Sequence, residues 1–173
     1  MQQLANNLYF LVMGVAVIGW LVLILFPRQS WANYWFSGIA VPLVLSFIYT
    51  IAVVAYWFQP PTGSLFQFLT LPTIYEMFGN RGLLLAGWID LIAMDLVVGA
   101  WMSRKATQIR MPYIFLLPCL ILTFVFAGVG FTLFAIVAAI GGGWGEMAKF
   151  EGQPPVNVWP VFARPLPSRP ARG

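Results

Sequence analysis

Asp90 and Asp95 stand five residues apart inside the apolar run from Gly82 to Met102. On a helix that turns about 100° per residue, their side chains point roughly 140° apart. They cannot form a side-by-side carboxyl pair on one helix, so each must address a different neighbour. An Asp at mid-bilayer costs about 2.5–3.5 kcal/mol on insertion scales, and two on one span call for an explanation. In the plainer reading both are buried and protonated, or hydrogen-bond to Ser, Thr, Tyr or Trp groups across a helix bundle. In the functional reading Asp95 or Asp90 donates or accepts a proton as a catalytic acid, or is the polar contact of a lipid-soluble ligand. Trp88, Leu91 and Gly99 share the broad helix face of Asp95. The aromatic-rich spans could line a slot for a long apolar molecule, or simply form bundle packing and interfacial belts. Trp88, Asp95, Gly99, Trp101 and Phe124 are the candidate ligand contacts.

Other chemistries lack their residues. The chain has no His and one Cys. The commonest metal ligand and neutral-pH base is therefore missing, no imidazole can activate a Ser or Thr, and no internal disulfide can form. No metal-binding cluster and no phosphate-cradling Gly-rich loop is present; Gly141-Gly142-Gly143 reads as a hinge. The formal charge of +4 comes from residues in connectors and tail, which read as topology signals with no case for nucleic acid.

The elements that must position the two acids follow from hydropathy. Hydrophobic residues make up 61% of the chain and charged residues 8%, too apolar for a soluble fold of this size. The expected fold is an all-α integral membrane bundle of four transmembrane helices, spanning residues 8–26, 36–58, 82–102 and 112–140. The first run is too long for a signal-peptide core and is read as a retained helix. Pro27 stops it, and Pro42 sits in the first turns of the second span. Pro60, Pro61, Gly63 and Ser64 predict a turn. Residues 71–78 predict a short interfacial helix between spans two and three, with Thr70 as its cap and a Glu76–Arg81 pair at the bilayer edge. Gly82, Gly87, Ala93, Gly99 and Ala100 leave room for close helix contact on the third span. Residues 1–140 form the membrane domain, and 141–173 an extended Pro-rich tail expected to pack on other membrane subunits.

Basic residues near span ends set the orientation. Connectors one and three carry Arg28, Arg104, Lys105 and Arg110, against Arg81 and Lys149 on the other side. That balance favours cytoplasmic connectors, with both termini periplasmic or lumenal, in a bacterial inner or photosynthetic membrane.

The stretch Gly87-Trp-Ile-Asp90-Leu-Ile-Ala-Met-Asp95-Leu-Val-Val-Gly99-Ala-Trp101 resembles the signature of the abscisic-acid-deficient-four-like membrane family. Leu117-Pro118-Cys119 onward is similar to that family's last span, and Gly19-Trp20-Leu21, Pro27-Arg28 and Val41-Pro42-Leu43 to its earlier ones. The likeness covers about residues 8–140. The family is named for a plastid protein required to make neoxanthin from violaxanthin. The resemblance implies a membrane pocket concerned with carotenoids or similar isoprenoids. Asp95 matches the family's Asp. Asp90 stands where the family has His, and Ala127-Gly128 replaces its Gly-Pro, so a catalytic imidazole cannot be carried over. Two readings follow. One is a non-catalytic accessory subunit of a larger, photosynthetic pigment-protein complex, in contact with lipid and binding carotenoid. The alternative is a carotenoid isomerase using Asp95 or Asp90 as its acid.

Overall fold

The computed structural model describes residues 2–58, 70–143 and 145. The turn expected at Pro60–Ser64, the apolar stretch that follows it as far as residue 69, and nearly all of the tail lie outside them. Among the described residues the fold is all-helical: α1 (Gln2–Leu25), α2 (Trp31–Trp57), α3 (Leu71–Phe78), α4 (Arg81–Gln108), α5 (Tyr113–Val125) and α6 (Ala127–Ile140). Three of these, α1, α2 and α4, are long and apolar enough to cross a membrane. At about 1.5 Å per residue, α4 with its 28 residues spans about 42 Å, more than the ~30 Å hydrocarbon core.

The second and third spans start or end beyond their expected limits, and each extension has a physical cause. α2 begins at Trp31 with a π-helical segment, Trp31–Ala40, and turns α-helical at Val41. At the switch the Val41 amide donates to Phe36 O, five residues back. Pro42 follows directly and has no amide to donate, so the change of register falls where the ladder must be interrupted anyway. α4 runs on through Arg104 and Lys105, expected in a connector, because that last turn is tied down. Ser103 Oγ donates to Pro27 O at 2.6 Å, Arg104 Nη1 to Asn33 O at 2.9 Å, and Lys105 Nζ to Gln108 Oε1 at 3.1 Å. The Arg104 guanidinium also lies 4.8 Å from the Tyr34 ring centroid.

α4 is the centre of the bundle and packs on all five other helices. Ile89, Ala93, Leu96 and Ala100 are buried in the core with Trp20 and Leu23 of α1 and Phe134 of α6. At Gly99 the Trp20 ring comes so close that a Cβ would lie 2.7 Å from it. α3 is present as a short helix. Thr70 precedes it in an extended conformation, but its hydroxyl meets Thr73 Oγ1 at 2.8 Å and does not cap the helix backbone. Asn80 caps α4 instead, Oδ1 accepting from Gly82 N at 2.9 Å. The expected Glu76–Arg81 ion pair does not form among the described residues.

The expected fourth span, 112–140, is broken. α5 has 13 residues and α6 has 14, each about 20 Å long and short of a crossing. The chain leaves helical geometry at Phe126 (φ −144°, ψ 88°) and folds back. A Cβ on Gly130 would collide with Thr123 N and Oγ1 and lie 2.6 Å from Cys119 O, whereas in one straight helix Thr123 and Gly130 would stand ~10 Å apart. Gly130, Phe134 and Ala138, four residues apart, form the buried stripe of the returning arm.

We expect Gly130→Ala to destabilise the protein by about 3 kcal/mol, since the obstacle is backbone and cannot rotate away. Gly128→Ala, two residues earlier in open space, should be neutral or slightly stabilising. Thermal unfolding of both variants in detergent checks the contrast.

Candidate functional site

The hairpin occupies one part of the space beside α4 and leaves the rest open. Asp95 faces that opening. The groove holds about 880 Å³ and is lined by Trp88, Leu91, Ile92 and Asp95 of α4, the whole elbow from Phe124 to Val129, and Thr132, Leu133 and Ile136 of α6. Its size falls within the ~300–1,000 Å³ of ordinary ligand sites, and its walls are mostly apolar with a few polar groups, as such sites are.

Those polar groups converge on the elbow. The first amides of a helix have no intrahelical partner. Here Phe126 O accepts from Val129 N and Gly130 N, both at 3.0 Å, which leaves the Ala127 and Gly128 amides at the groove wall. They carry the positive end of the α6 dipole. Thr132 Oγ1 donates to Gly128 O at 2.8 Å and fixes the first turn. Asp95, half-buried, makes no hydrogen bond or ion pair with another described residue. An acid and two backbone donors around an apolar groove suit one oxygen-bearing end of an otherwise apolar molecule.

Asp90 looks elsewhere. It lines a separate groove of about 520 Å³ with Tyr49, Val53, Trp57, Met77, Phe78 and Gly87 among its walls. Trp88 and Leu91 belong to both grooves and form the ridge between them. The wide angle between the two acids on the helix is thus matched by two separate surroundings.

Of the candidate contacts, Trp88, Asp95 and Phe124 are brought together at the first groove. Phe124 also packs edge-on against Trp20, with ring centroids 5.5 Å apart. Gly99 is buried under Trp20, so the structure uses it for packing of α1 on α4. Trp101 stacks against Phe131 and Phe134, at 5.8 Å and 6.1 Å, and anchors the returning arm. Sequence reasoning passed over the elbow residues 125–129 and Thr132. The one available signal was Ala127-Gly128 in mid-run, small residues where the resemblance has Gly-Pro. Among the described residues no group of His, Cys, Asp and Glu could hold a metal ion.

Residues 7–134 match the family model described as ABA DEFICIENT 4-like. No curated protein and no solved structure matches the chain.

A carboxyl without a partner among apolar side chains weakens the fold that carries it. We therefore expect Asp95→Leu to stabilise the protein by about 2 kcal/mol, part of the insertion cost of Asp. Unfolding midpoints in one detergent measure this; a drop in stability would reveal a partner for the carboxyl and remove it from the candidate site.

Proposed function

The chain belongs to the ABA DEFICIENT 4-like family, and from that premise we propose that it is an integral membrane protein that holds an oxygenated carotenoid or similar isoprenoid in the groove beneath the α5–α6 elbow. The observation that supports this most directly is that Asp95 lines one apolar groove together with Ala127 and Gly128, whose amides bond to no other described residue. The oxygen of the ligand sits between acid and amides, and its hydrocarbon chain runs over Trp88, Leu91 and Ile136. Asp95, Trp88 and Phe124 are its contacts; Gly99 and Trp101 support the walls. Missing imidazole chemistry favours a binding role, as accessory subunit of a larger pigment-containing assembly, with the tail 141–173 as the segment that packs on other subunits.

A second reading draws on the same groove. Asp95 protonates the ring oxygen of an epoxycarotenoid, the C–O bond opens, and a proton lost from the neighbouring polyene carbon returns to the carboxylate. The net change is an isomerisation that needs no oxidant or reductant.

The broken fourth span alters the proposed orientation. Three crossings followed by a returning hairpin bring Gly141–Gly143 out on the side of Pro27 and Arg110, opposite the N-terminus. Among the described residues every basic one except Arg81 then belongs to that one side, the side on which Gly143 also ends.

Purified from carotenoid-producing cells, the wild type should carry pigment. Gly128→Trp, which fills the open space at the elbow, should lower the pigment-to-protein absorbance ratio about tenfold, ~1.4 kcal/mol. Pigment-free wild type would end the binding reading. Membranes supplied with an epoxycarotenoid decide the second reading: turnover lost in Asp95→Asn supports it, and turnover equal in both sinks Asp95 as the acid. Reporters fused at the N-terminus and after Gly143 should report opposite sides of the membrane; the same side would restore a fourth crossing.

A further inference from the structure

Helices α4 and α6 end in the same way. In each, a residue just past the helix adopts the left-handed conformation, and two amides bond back to the last turn. At the end of α6 the left-handed residue is Gly142 (φ 78°), with Gly142 N bonding Ala139 O at 3.0 Å and Gly143 N bonding Ala138 O at 2.8 Å. At the end of α4 it is Arg110 (φ 54°), with Arg110 N bonding Thr107 O at 3.2 Å and Met111 N bonding Ala106 O at 2.8 Å. Glycine is the residue that adopts this conformation without steric cost, and an L side chain there costs about 1 kcal/mol. Arg110 is the one described non-glycine residue with positive φ. A long cationic side chain thus occupies a backbone position that favours glycine.

That side chain borders a cavity of about 390 Å³ with Arg28, Ala106, Thr107 and Met111. The backbone just before Arg28 is held in place. Pro27 O accepts from Asn33 Nδ2 at 2.9 Å and Ser103 Oγ at 2.6 Å, which pins the α1–α2 connector to α4. Both arginines are exposed, and neither makes a hydrogen bond or ion pair with another described residue. No carboxylate among the described residues lines the cavity. Asp90, Asp95 and Glu76, the described acids, belong to the grooves or to α3. Two guanidinium groups of like charge bordering one cavity, at the end of membrane-crossing helices, favour an anion between them. Guanidinium groups match phosphate oxygens two at a time, and basic pockets between helices at the membrane surface collect anionic headgroups.

We propose that Arg28 and Arg110 form a binding site for the phosphate of an anionic phospholipid at the cavity between the α1–α2 connector and the end of α4. The acyl chains of that lipid lie along the outer faces of α1 and α5, where Leu25 and Ile114 are exposed. This site is independent of the groove at Asp95.

The test uses the full chain in a neutral detergent and three probes: a short-chain phosphatidylglycerol, a phosphatidylcholine of equal chain length, and inorganic phosphate. Native mass spectrometry reads lipid retained per protein across a titration. Phosphatidylglycerol should bind more tightly than phosphatidylcholine, and Arg28→Gln or Arg110→Gly should each weaken it about fivefold, ~1 kcal/mol. Arg110→Gly also relieves the strained backbone, so its unfolding midpoint in lipid-free detergent should hold or rise. Loss of lipid without loss of stability separates binding from misfolding. Equal retention of phosphatidylglycerol by wild type and both variants overturns the site. Displacement of the lipid by inorganic phosphate at matching concentration overturns the lipid as its occupant.

Discussion

A bilayer interior offers no water to a backbone amide or carbonyl, and much of the described bundle answers to that shortage. Where α1 ends, its last carbonyls are taken up by side chains from distant parts of the chain. Ile24 O accepts from Tyr113 Oη at 2.8 Å, and Pro27 O from Asn33 and Ser103. Further back along α1, Gly19 O takes the Ser37 hydroxyl at 2.8 Å. These bonds join α1, α2, α4 and α5 at one end of the bundle, and they explain why polar residues at Asn33, Ser37 and Ser103 are buried in so apolar a chain. The π-helical opening of α2 belongs to the same arrangement: it carries Asn33 and Ser37, which reach α1 and its connector.

The hairpin meets the same shortage less completely, and the candidate site lies at that deficit. Breaking α5 from α6 frees carbonyls on one arm and amides on the other. Phe126 O resolves two of the amides; the Ala127 and Gly128 amides remain at a groove shared with an acid, and neither they nor the acid bond to another described residue. Irregular backbone at membrane depth is tolerated where it lines a cavity, and unmet polar groups around a cavity describe a ligand's polar end in negative.

Much of this was legible in the sequence. Charge-free runs of ~20 residues gave α1, α2 and α4, because helix length in a membrane is set by bilayer thickness and little else. The separation of Asp90 from Asp95 followed from helix periodicity alone, and so did the neighbourhood of Trp88, Leu91 and Asp95. Gly99 carried two readings, because small residues near an acid suit a ligand and a close helix contact equally; the Trp20 ring bears out the close contact. The break at Phe126 was hidden for a different reason. Hydropathy is unbroken from Tyr113 to Ile140, and a run long enough to cross once is also long enough to enter and return. What selects the return is packing of Gly130 against the Cys119–Thr123 turn, a contact between residues that sequence patterns treat as parts of one helix. The extra length of α4 was hidden because Ser103, Arg104 and Lys105 look like a loop until their partners on the α1–α2 side are known.

The groove at Asp95 is bordered by side chains that are themselves exposed: Trp88, Leu91, Phe126 and Val129 all present large surface outward. In a membrane that outward side is hydrocarbon. A ligand of the kind proposed would therefore reach Asp95 by lateral diffusion in the plane of the lipid, without crossing an aqueous interface. Occupancy then follows the mole fraction of the ligand among the surrounding lipids, and an affinity quoted per litre of buffer would change with every change in the amount of membrane.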